Sequence, residues 1–355
     1  MRIIPALKIL GVFWRMHRRK PAFLSFNVTN KCNERCLMCS VWRIAARELS
    51  LYEIEKLFIG LRRHGIKVVE ITGGEPFARK DTPEILRVLD RIGFLLTITT
   101  NGTMLSGALI EQLNALKGLV QVAVSIDSLD RGRYAAIRGA DMLPAVLGNL
   151  TSVKPDNLSF PLKVNFTVSR LNYRETSTML DFVKRNGMFL SVFPATRGSG
   201  FYHRGDDPSL EPDEAERREM AGVFSTLSRL RKAGEPLWEY SGFYDLAAEY
   251  VLGRPVGMCD AGTLYLDLHA DGTLAACADQ SGLGSLLDED ILEVLGRIPS
   301  QSERLQTCAE RSPCCYTCTF NLSITADHIA DFIIESLKVR ANFLIRRFGA
   351  KKSAG

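Results

Sequence analysis

The sequence predicts an α/β fold on a parallel sheet. Between residues 22 and 194, short apolar runs alternate six times with runs of helical period, and capping signals such as Ser50 and Gly65 sit at the joints. A chain of 355 residues, 46% hydrophobic and 24% charged, can bury a substantial core. At about 150 residues per domain it holds two domains, or one α/β domain with an appendage. Collagen-like, low-complexity and disordered classes are excluded.

After a basic leader (1–21), Ala22 to Val28 reads as a strand and a polar, cysteine-bearing loop follows. Ser50 precedes LYEIEKLFIGLRRHG, a helix ended by Gly65 as a C-cap. Strand Lys67 to Thr72, helix Thr82 to Ile92, strand Phe94 to Thr99, helix Gly107 to Leu116 and strand Leu119 to Ile126 come next. Helical material then runs from Asp130 to Val153, before strand Leu162 to Val168, helix Tyr173 to Arg185 and strand Met188 to Pro194. Right-handed crossovers put every strand's C-terminal end on one face, where active-site residues gather. The rhythm stops near residue 195 at a Gly-, Pro- and Asp-rich loop, and two helical runs follow. From Cys259 the texture changes to a hairpin (TLYLDL, HADG, TLAAC) and a cysteine-rich loop, with a domain boundary expected near 235 to 255.

The formal charge of +5 is unevenly placed. Residues 1 to 21 carry six basic residues and no acid, and so do residues 338 to 355, a total of +12 at the ends. The body keeps 33 Lys and Arg against 40 Asp and Glu, a net −7, which argues against a nucleic-acid partner. No run reaches the roughly 18 apolar residues of a membrane span. Ile9 to Trp14 is followed by Arg15, Arg18, Arg19 and Lys20 rather than a signal-peptide cleavage site, so a cytoplasmic location is expected. In a reducing compartment nine cysteines are more naturally ligands than disulfides.

Cys32, Cys36 and Cys39 (CNERCLMC) lie in the loop after the first strand. Thiolates at this spacing can wrap one face of a metal cluster. No fourth ligand is nearby, whereas structural zinc is normally closed by four. Three cysteines on a four-iron cluster leave one iron free for a cofactor or substrate. A zinc loop or incidental thiols are the alternative.

The motif CxxxCxxC after the first strand of a βα series resembles that of the radical S-adenosylmethionine superfamily. Gly73, Gly74, Glu75 and Pro76 match that family's GGEP turn, whose backbone holds the amino group of the cofactor's methionine moiety. Thr100, Asn101 and Gly102 end the third strand, and Ser125, Ile126 and Asp127 the fourth. By resemblance these line the nucleoside and carboxylate side of the cofactor pocket, although Ser125 also reads as a helix N-cap. Met38 stands where the family usually has an aromatic residue beside the adenine; a polarizable thioether can pack there. The resemblance covers residues 22 to 195. It implies a partial (β/α)6 barrel, a catalytic [4Fe-4S] cluster, and S-adenosylmethionine cleaved reductively to a 5'-deoxyadenosyl radical that abstracts a hydrogen atom from a substrate. It also implies an electron donor such as flavodoxin or ferredoxin.

Six cysteines remain. Cys259, Gly272 and Cys277, spaced C-x12-G-x4-C, resemble the opening of the SPASM and twitch auxiliary-cluster domains. Cys315 and Cys318 complete a twitch-like four-cysteine set for one auxiliary [4Fe-4S] cluster. Cys308 and Cys314 are substitutes or members of a degenerate second site, because six thiolates cannot fully ligate two four-iron clusters. A structural zinc is the alternative.

The expected organisation is a basic amphipathic leader (1–21), the barrel (22–235), a cysteine-rich auxiliary domain (236–325) and a basic C-terminal helix (326–355). At 100° per residue Ile3, Leu7, Leu10, Phe13 and Trp14 share an apolar face, and Ile333, Leu337, Leu344 and Phe348 do so in the tail. Such helices suit an anionic membrane surface at the cytoplasmic face, or dock on the barrel with solvated basic edges. Arg197, Tyr202, His203 and Arg204 lie just past the last strand, either as simply solvated loop residues or in contact with substrate, with no specific role for His203. The substrate expected from these ends is a lipid or lipid-linked molecule. The alternatives are peptide modification, associated with SPASM-type domains, and a non-enzymatic iron-sulfur or zinc protein.

Overall fold

The first barrel helix shows how local chemistry sets the element boundaries. The Ser50 hydroxyl accepts from the Glu53 amide while the Glu53 carboxylate accepts from the Ser50 amide at 2.8 Å, a reciprocal cap opening α2 (Leu51–Arg63). Gly65, with φ of 102°, takes the left-handed conformation just past its end. The computed structural model describes residues 6–153, 157–196, 207–257, 259–280, 282–298, 314–315 and 320–352. Six strands follow the expected order: β1 (Phe23–Thr29), β2 (Val68–Gly73), β3 (Leu95–Thr100), β4 (Leu119–Ser125), β5 (Leu162–Val168) and β6 (Phe189–Pro194). They pair in parallel, each beside its sequence neighbour. Outside them lie α2, α3 (Thr82–Ile92), α4 (Gly107–Ala115), α5 (Arg131–Arg138), α6 (Leu143–Ser152) and α7 (Thr176–Arg185). The stretch expected to be helical from 130 to 153 is two helices, because Gly139 adopts φ of 66° and ends α5.

The strands sort their side chains by alternation. Val69 and Ile71 of β2, Leu96 and Ile98 of β3, Val122 and Val124 of β4, and Val164 and Phe166 of β5 are fully buried in the core shared with the helices. Their neighbours Glu70, Thr97, Thr99, Gln121, Lys163 and Asn165 lie on the opposite, concave face. That face is polar.

The expected hairpin forms and joins the main sheet: α8 (Glu214–Ala233) and α9 (Ser241–Val251) lead back to β7 (Tyr265–Leu268), which pairs in parallel with β1. Strands β8 (Thr273–Ala275) and β9 (Gly284–Ser285) then extend the same nine-stranded sheet antiparallel, ahead of the short α10 (Ile291–Leu295). At the other edge, Leu190 bonds Pro236 and Trp238, so the chain after α8 closes over β6.

The register sets Asp267 of β7 opposite Ser25 of β1, 1% exposed, with Asn27 Nδ2 donating to it at 3.2 Å and the Tyr265 hydroxyl at 3.3 Å. Burial pushes its carboxyl up to about 7. A folded-state value above the unfolded one means that the stability from this proton is complete below the unfolded value and is lost as pH rises to about 7. Asp267→Asn should therefore gain on the wild type by about 1 kcal/mol per pH unit across that window, in urea melts between pH 5 and 8. Parallel curves would refute the assignment.

The terminal helices dock with other faces than expected. In α1 (Ala6–His17), Val12 and Met16 are buried against Val68 and Leu95, with Phe13, Phe23 and Val120 packed around them. These are the first residues of the strands, so α1 plugs the barrel's N-terminal mouth. Leu10 and Trp14 of the expected face are instead 60% and 56% exposed. Arg19 ties this end to Asp260 and to Asp327 of α11 (Phe320–Asp327). In α12 (Ile329–Lys352), Phe332, Glu335, Val339 and Asn342 face inward at helical spacing. Glu335 accepts from the Ser241 amide and hydroxyl, capping α9, and Phe343 stacks on Phe189 at 4.6 Å. Ile333 and Leu337 are exposed. Ile3 and the side chains of Leu7, Leu344 and Phe348 lie outside the described residues, as do Arg197, Tyr202, His203 and Arg204.

Candidate active site

Three motifs meet at the C-terminal ends of β1, β2 and β3. The loop with Cys32, Cys36 and Cys39 runs against the glycine turn: the Gly74 amide donates to Thr29 O at 2.7 Å and the Glu75 amide to Lys31 O at 2.8 Å. A Cβ on Gly74 would stand 2.2 Å from Lys31 O, and one on Gly73, whose φ is 130°, 2.2 Å from Thr29 O. Only glycine permits this approach. With those amides engaged, a ligand's amino group has carbonyl oxygens to meet on this turn, the acceptor type that it needs.

Glu75 is completely buried. Its Oε1 accepts from Thr100 Oγ1 at 2.8 Å and the Phe77 amide at 3.1 Å, its Oε2 from the Asn101 amide at 2.7 Å. Burial raises its carboxyl above the usual range although all three bonds favour the anion. Asn101 Nδ2 in turn donates to Asn33 Oδ1 at 2.7 Å, which joins the third strand's turn to the cysteine loop. Pro76 opens a short 3-10 turn behind them. Met38 is half-buried within the loop, and Ser125 is the last, half-buried residue of β4. Ser125 is not the helix cap, since Asp130 caps α5.

A second clamp comes from α5. Arg138 donates from Nε to Glu34 at 2.8 Å and from Nη1 to Asp127 at 2.5 Å, all three being at least nine-tenths buried. The Tyr134 hydroxyl adds a bond to Glu34 at 2.6 Å, and the Arg35 and Leu37 amides donate to Arg138 O and Ile137 O. Asp127 is held at both oxygens, Oδ2 by Arg138 and Oδ1 by the Thr167 amide. It anchors the clamp. Glu34 and Arg138 were not among the residues singled out in the sequence; the one sign was an acid between two of the clustered cysteines.

The thiols are half-buried and free. Burial pushes Cys32 up to about 11, with the charges of Glu75 and Glu34 adding, and raises Cys36 and Cys39 as well. For Cys36 the Arg138 guanidinium pulls the other way. Among the described residues no three Cys, His, Asp or Glu side chains close round a point that one ion would occupy. A four-iron cube takes each thiolate at a different iron, which suits three cysteines spread along a loop.

Below this rim lies the concave face. Lys163 is 7% exposed, and among the described residues it has no hydrogen bond or ion pair; its ammonium sits 5.3 Å from the Trp238 ring centre. Burial lowers its pKa, opposed by the more distant charges of Glu239 and Glu70. Gln121 Oε1 and Asn165 Oδ1 are buried on the same face with no donor among the described residues. A separate shallow cleft, lined by Thr196, Glu211, Met220 and Tyr250 among others, lies at the ends of β5 and β6, away from the cysteine loop.

Of the other cysteines, Cys259 precedes β7 and Cys277 follows β8, with Gly272 in the intervening turn at φ of 92°. Cys277 and Cys315 are buried and Cys314 is half-buried. Burial raises the Cys315 thiol, and the charge of Glu239 adds to this. Cys308 and Cys318 lie outside the described residues.

Residues 26–153 match the Radical SAM superfamily. The chain is 32% identical over 217 residues to the probable GTP 3',8-cyclase of Methanothermobacter thermautotrophicus, covering 59% of this chain and 70% of that protein. The chain belongs to the radical SAM superfamily. It is also 33% identical over 178 residues to the GTP 3',8-cyclase of Erythrobacter litoralis, spanning 48% of this chain and about half, 52%, of the relative's length. Two solved structures share the radical SAM fold. Streptococcus suis SuiB bound to S-adenosylmethionine has a TM-score of 0.64 at 17% identity, covering 83% of this chain and 72% of that one. Native anSMEcpe with bound AdoMet has 0.60 at 14%, covering 91% and 98%. The superfamily's cofactors are a [4Fe-4S] cluster and S-adenosylmethionine, and the residues fit them. Cys32, Cys36 and Cys39 would supply three thiolates to such a cluster, and the glycine turn would offer acceptors to the cofactor's amino group. When bound, this pair supplies a carbon-centred radical able to abstract hydrogen; the chain's own residues hold the loop, orient the ligand and exclude water.

Proposed function

We propose that the protein uses S-adenosylmethionine to abstract a hydrogen atom from a polar, anion-bearing substrate seated inside the barrel. The carrying observation is Lys163, a buried ammonium without a hydrogen-bond partner among the described residues, on the concave face beneath the cysteine loop. A buried charge left without a partner is costly, and a substrate carboxylate or phosphate relieves that cost. Gln121 Oε1 and Asn165 Oδ1 ask in addition for hydrogen-bond donors on the substrate. Relatives named GTP 3',8-cyclase support a nucleotide as one such substrate, and the SuiB structure bound to precursor peptide SuiA keeps a peptide in view. Cys259, Cys277, Cys315 and Cys318, with Cys308 and Cys314 in reserve, would hold one auxiliary cluster. An electron carrier such as flavodoxin or ferredoxin would supply the reducing electron.

The exposed Leu10, Trp14, Ile334 and Leu337 on the basic terminal helices favour a second reading, in which the anionic group belongs to a lipid-linked molecule and the protein sits on the cytoplasmic face of the membrane. No described helix is long and apolar enough to cross a membrane. Sedimentation with anionic vesicles decides this point; indifference to the vesicles removes the second reading.

The test of the main reading is anaerobic reconstitution followed by reduction with S-adenosylmethionine. The expected result is 5'-deoxyadenosine and about eight irons per chain, for two four-iron clusters. About four irons would remove the auxiliary cluster. No 5'-deoxyadenosine would leave a non-enzymatic iron-sulfur protein.

A further inference from the structure

A half-buried tryptophan lies one hydrogen bond from the cysteine loop, between two cations. Trp42 sits in the 3-10 turn Val41–Arg43, and its indole N–H donates to the carbonyl of Cys39 at 3.0 Å. The Arg35 guanidinium lies 4.8 Å from the ring centre and that of Arg43 4.5 Å. Arg35 and Arg43 are exposed, and among the described residues no carboxylate pairs with either. Lys31 and Arg47, also exposed, pair with Glu48 and Glu53. The only acid between residues 31 and 47 is Glu34, which is buried and held by Arg138. The outer surface of the loop is therefore cationic, on a body whose net charge away from the termini is negative.

A stacked cation is common on protein surfaces, and one arginine on Trp42 would call for no explanation. Two cations on one indole, which itself bonds a ligand residue of the cluster, give a patch that is positive, aromatic and next to the cluster at once. Aromatic and arginine side chains are the types that anchor protein interfaces. Unpaired cations on an otherwise acidic body also steer an acidic partner to one place. The basic α1 does not compete for that place, since it plugs the mouth at the opposite ends of the strands.

We propose that Arg35, Trp42 and Arg43 form the docking surface for an acidic electron-carrier protein, with Trp42 as the contact beside the cluster. The inference rests on the cluster reading above. In the docked complex one electron leaves the reduced carrier and enters the cluster; no bond forms or breaks, and the carrier departs oxidised by one electron.

The experiment compares full-length wild type with Arg43→Glu, using an acidic flavodoxin as the carrier. Arg43 makes no contact with the cysteines, so the variant should bind iron normally and its cluster should bleach with dithionite at the wild-type rate. Two readouts follow. Anisotropy of fluorescein-labelled flavodoxin reports binding whether or not a cluster is present, and 5'-deoxyadenosine formation driven by reduced flavodoxin gives a KM for the carrier. At low salt, Arg43→Glu should weaken binding and raise that KM about tenfold, with the difference closing near 0.5 M NaCl as charges are screened. Equal affinity of wild type and variant at low salt overturns the proposal, as does an equal loss with dithionite and with flavodoxin. A wild-type protein that binds flavodoxin through Arg43 yet takes up no iron would instead overturn the cluster reading and leave the docking surface standing.

Discussion

Replacing Arg138 by leucine is expected to cost the folded protein about 3–5 kcal/mol and most of its capacity to bind iron. The guanidinium serves two buried carboxylates at once, Glu34 at 2.8 Å and Asp127 at 2.5 Å, each 1% exposed. Removing it leaves two anions in a site with little water, and an uncompensated buried charge is the expensive outcome of breaking such a network. The loss should not stay local. The α5 backbone at Ile137 and Arg138 accepts from the Leu37 and Arg35 amides, so a loosened α5 loosens the loop that carries Cys36 and Cys39. Glu34→Gln makes the contrast. It leaves Arg138 paired with Asp127, and the amide oxygen still accepts from Tyr134, so a cost of about 1 kcal/mol is expected. Urea melts of the iron-free proteins and iron content after reconstitution measure both. Equal damage from the two variants would show that the pairing with Asp127 contributes nothing.

Much of this architecture was legible before any coordinates. All six barrel strands start and end within a residue of where apolar runs and glycines placed them, because both signals are local. The positions of Cys32, Gly74 and Thr100 at or just past strand ends were legible from their motifs. What could not be read were partnerships made across long separations. Arg138 lies 104 residues from Glu34, and nothing in either neighbourhood announces the other. The same holds for β7: a four-residue strand carries no mark of the edge that it joins, and its pairing with β1 shows only in the fold. In α1 the apolar face drawn through Leu10, Phe13 and Trp14 is split in the fold: Phe13 packs at the barrel mouth beside Val12 and Met16, while Leu10 and Trp14 stay exposed. Lys163 carries no mark in the sequence beyond a polar place in an alternating strand, and only the folded sheet, with Trp238 against the ammonium, shows that its side of the strand is buried.

For Lys163→Met, anion binding is expected to fall about 100-fold with little loss of stability, a charge-assisted hydrogen bond to a buried partner contributing up to about 3 kcal/mol. Met fills nearly the same volume without a charge, and the ammonium has no bond to lose among the described residues. Burial has lowered the lysine's pKa, so its charged form costs stability wherever the folded protein must hold that proton. With a folded value below the unfolded one, the wild type gains stability as pH rises from the folded value toward the ordinary lysine value of 10.5, and loses it as pH falls through the folded value. The Met variant lacks that dependence, so it should compare best with the wild type near neutrality and lose ground toward pH 10. Pyrophosphate and GTP are the probes, titrated by calorimetry into wild type and variant, with urea melts at pH 7 and 10 alongside. If the variant binds both anions as tightly as the wild type, or the wild type binds neither, the substrate is not anchored through an anion at Lys163. If instead binding falls while folding holds, the barrel interior is a site whose buried Lys163 cation is kept for the substrate at the expense of the fold.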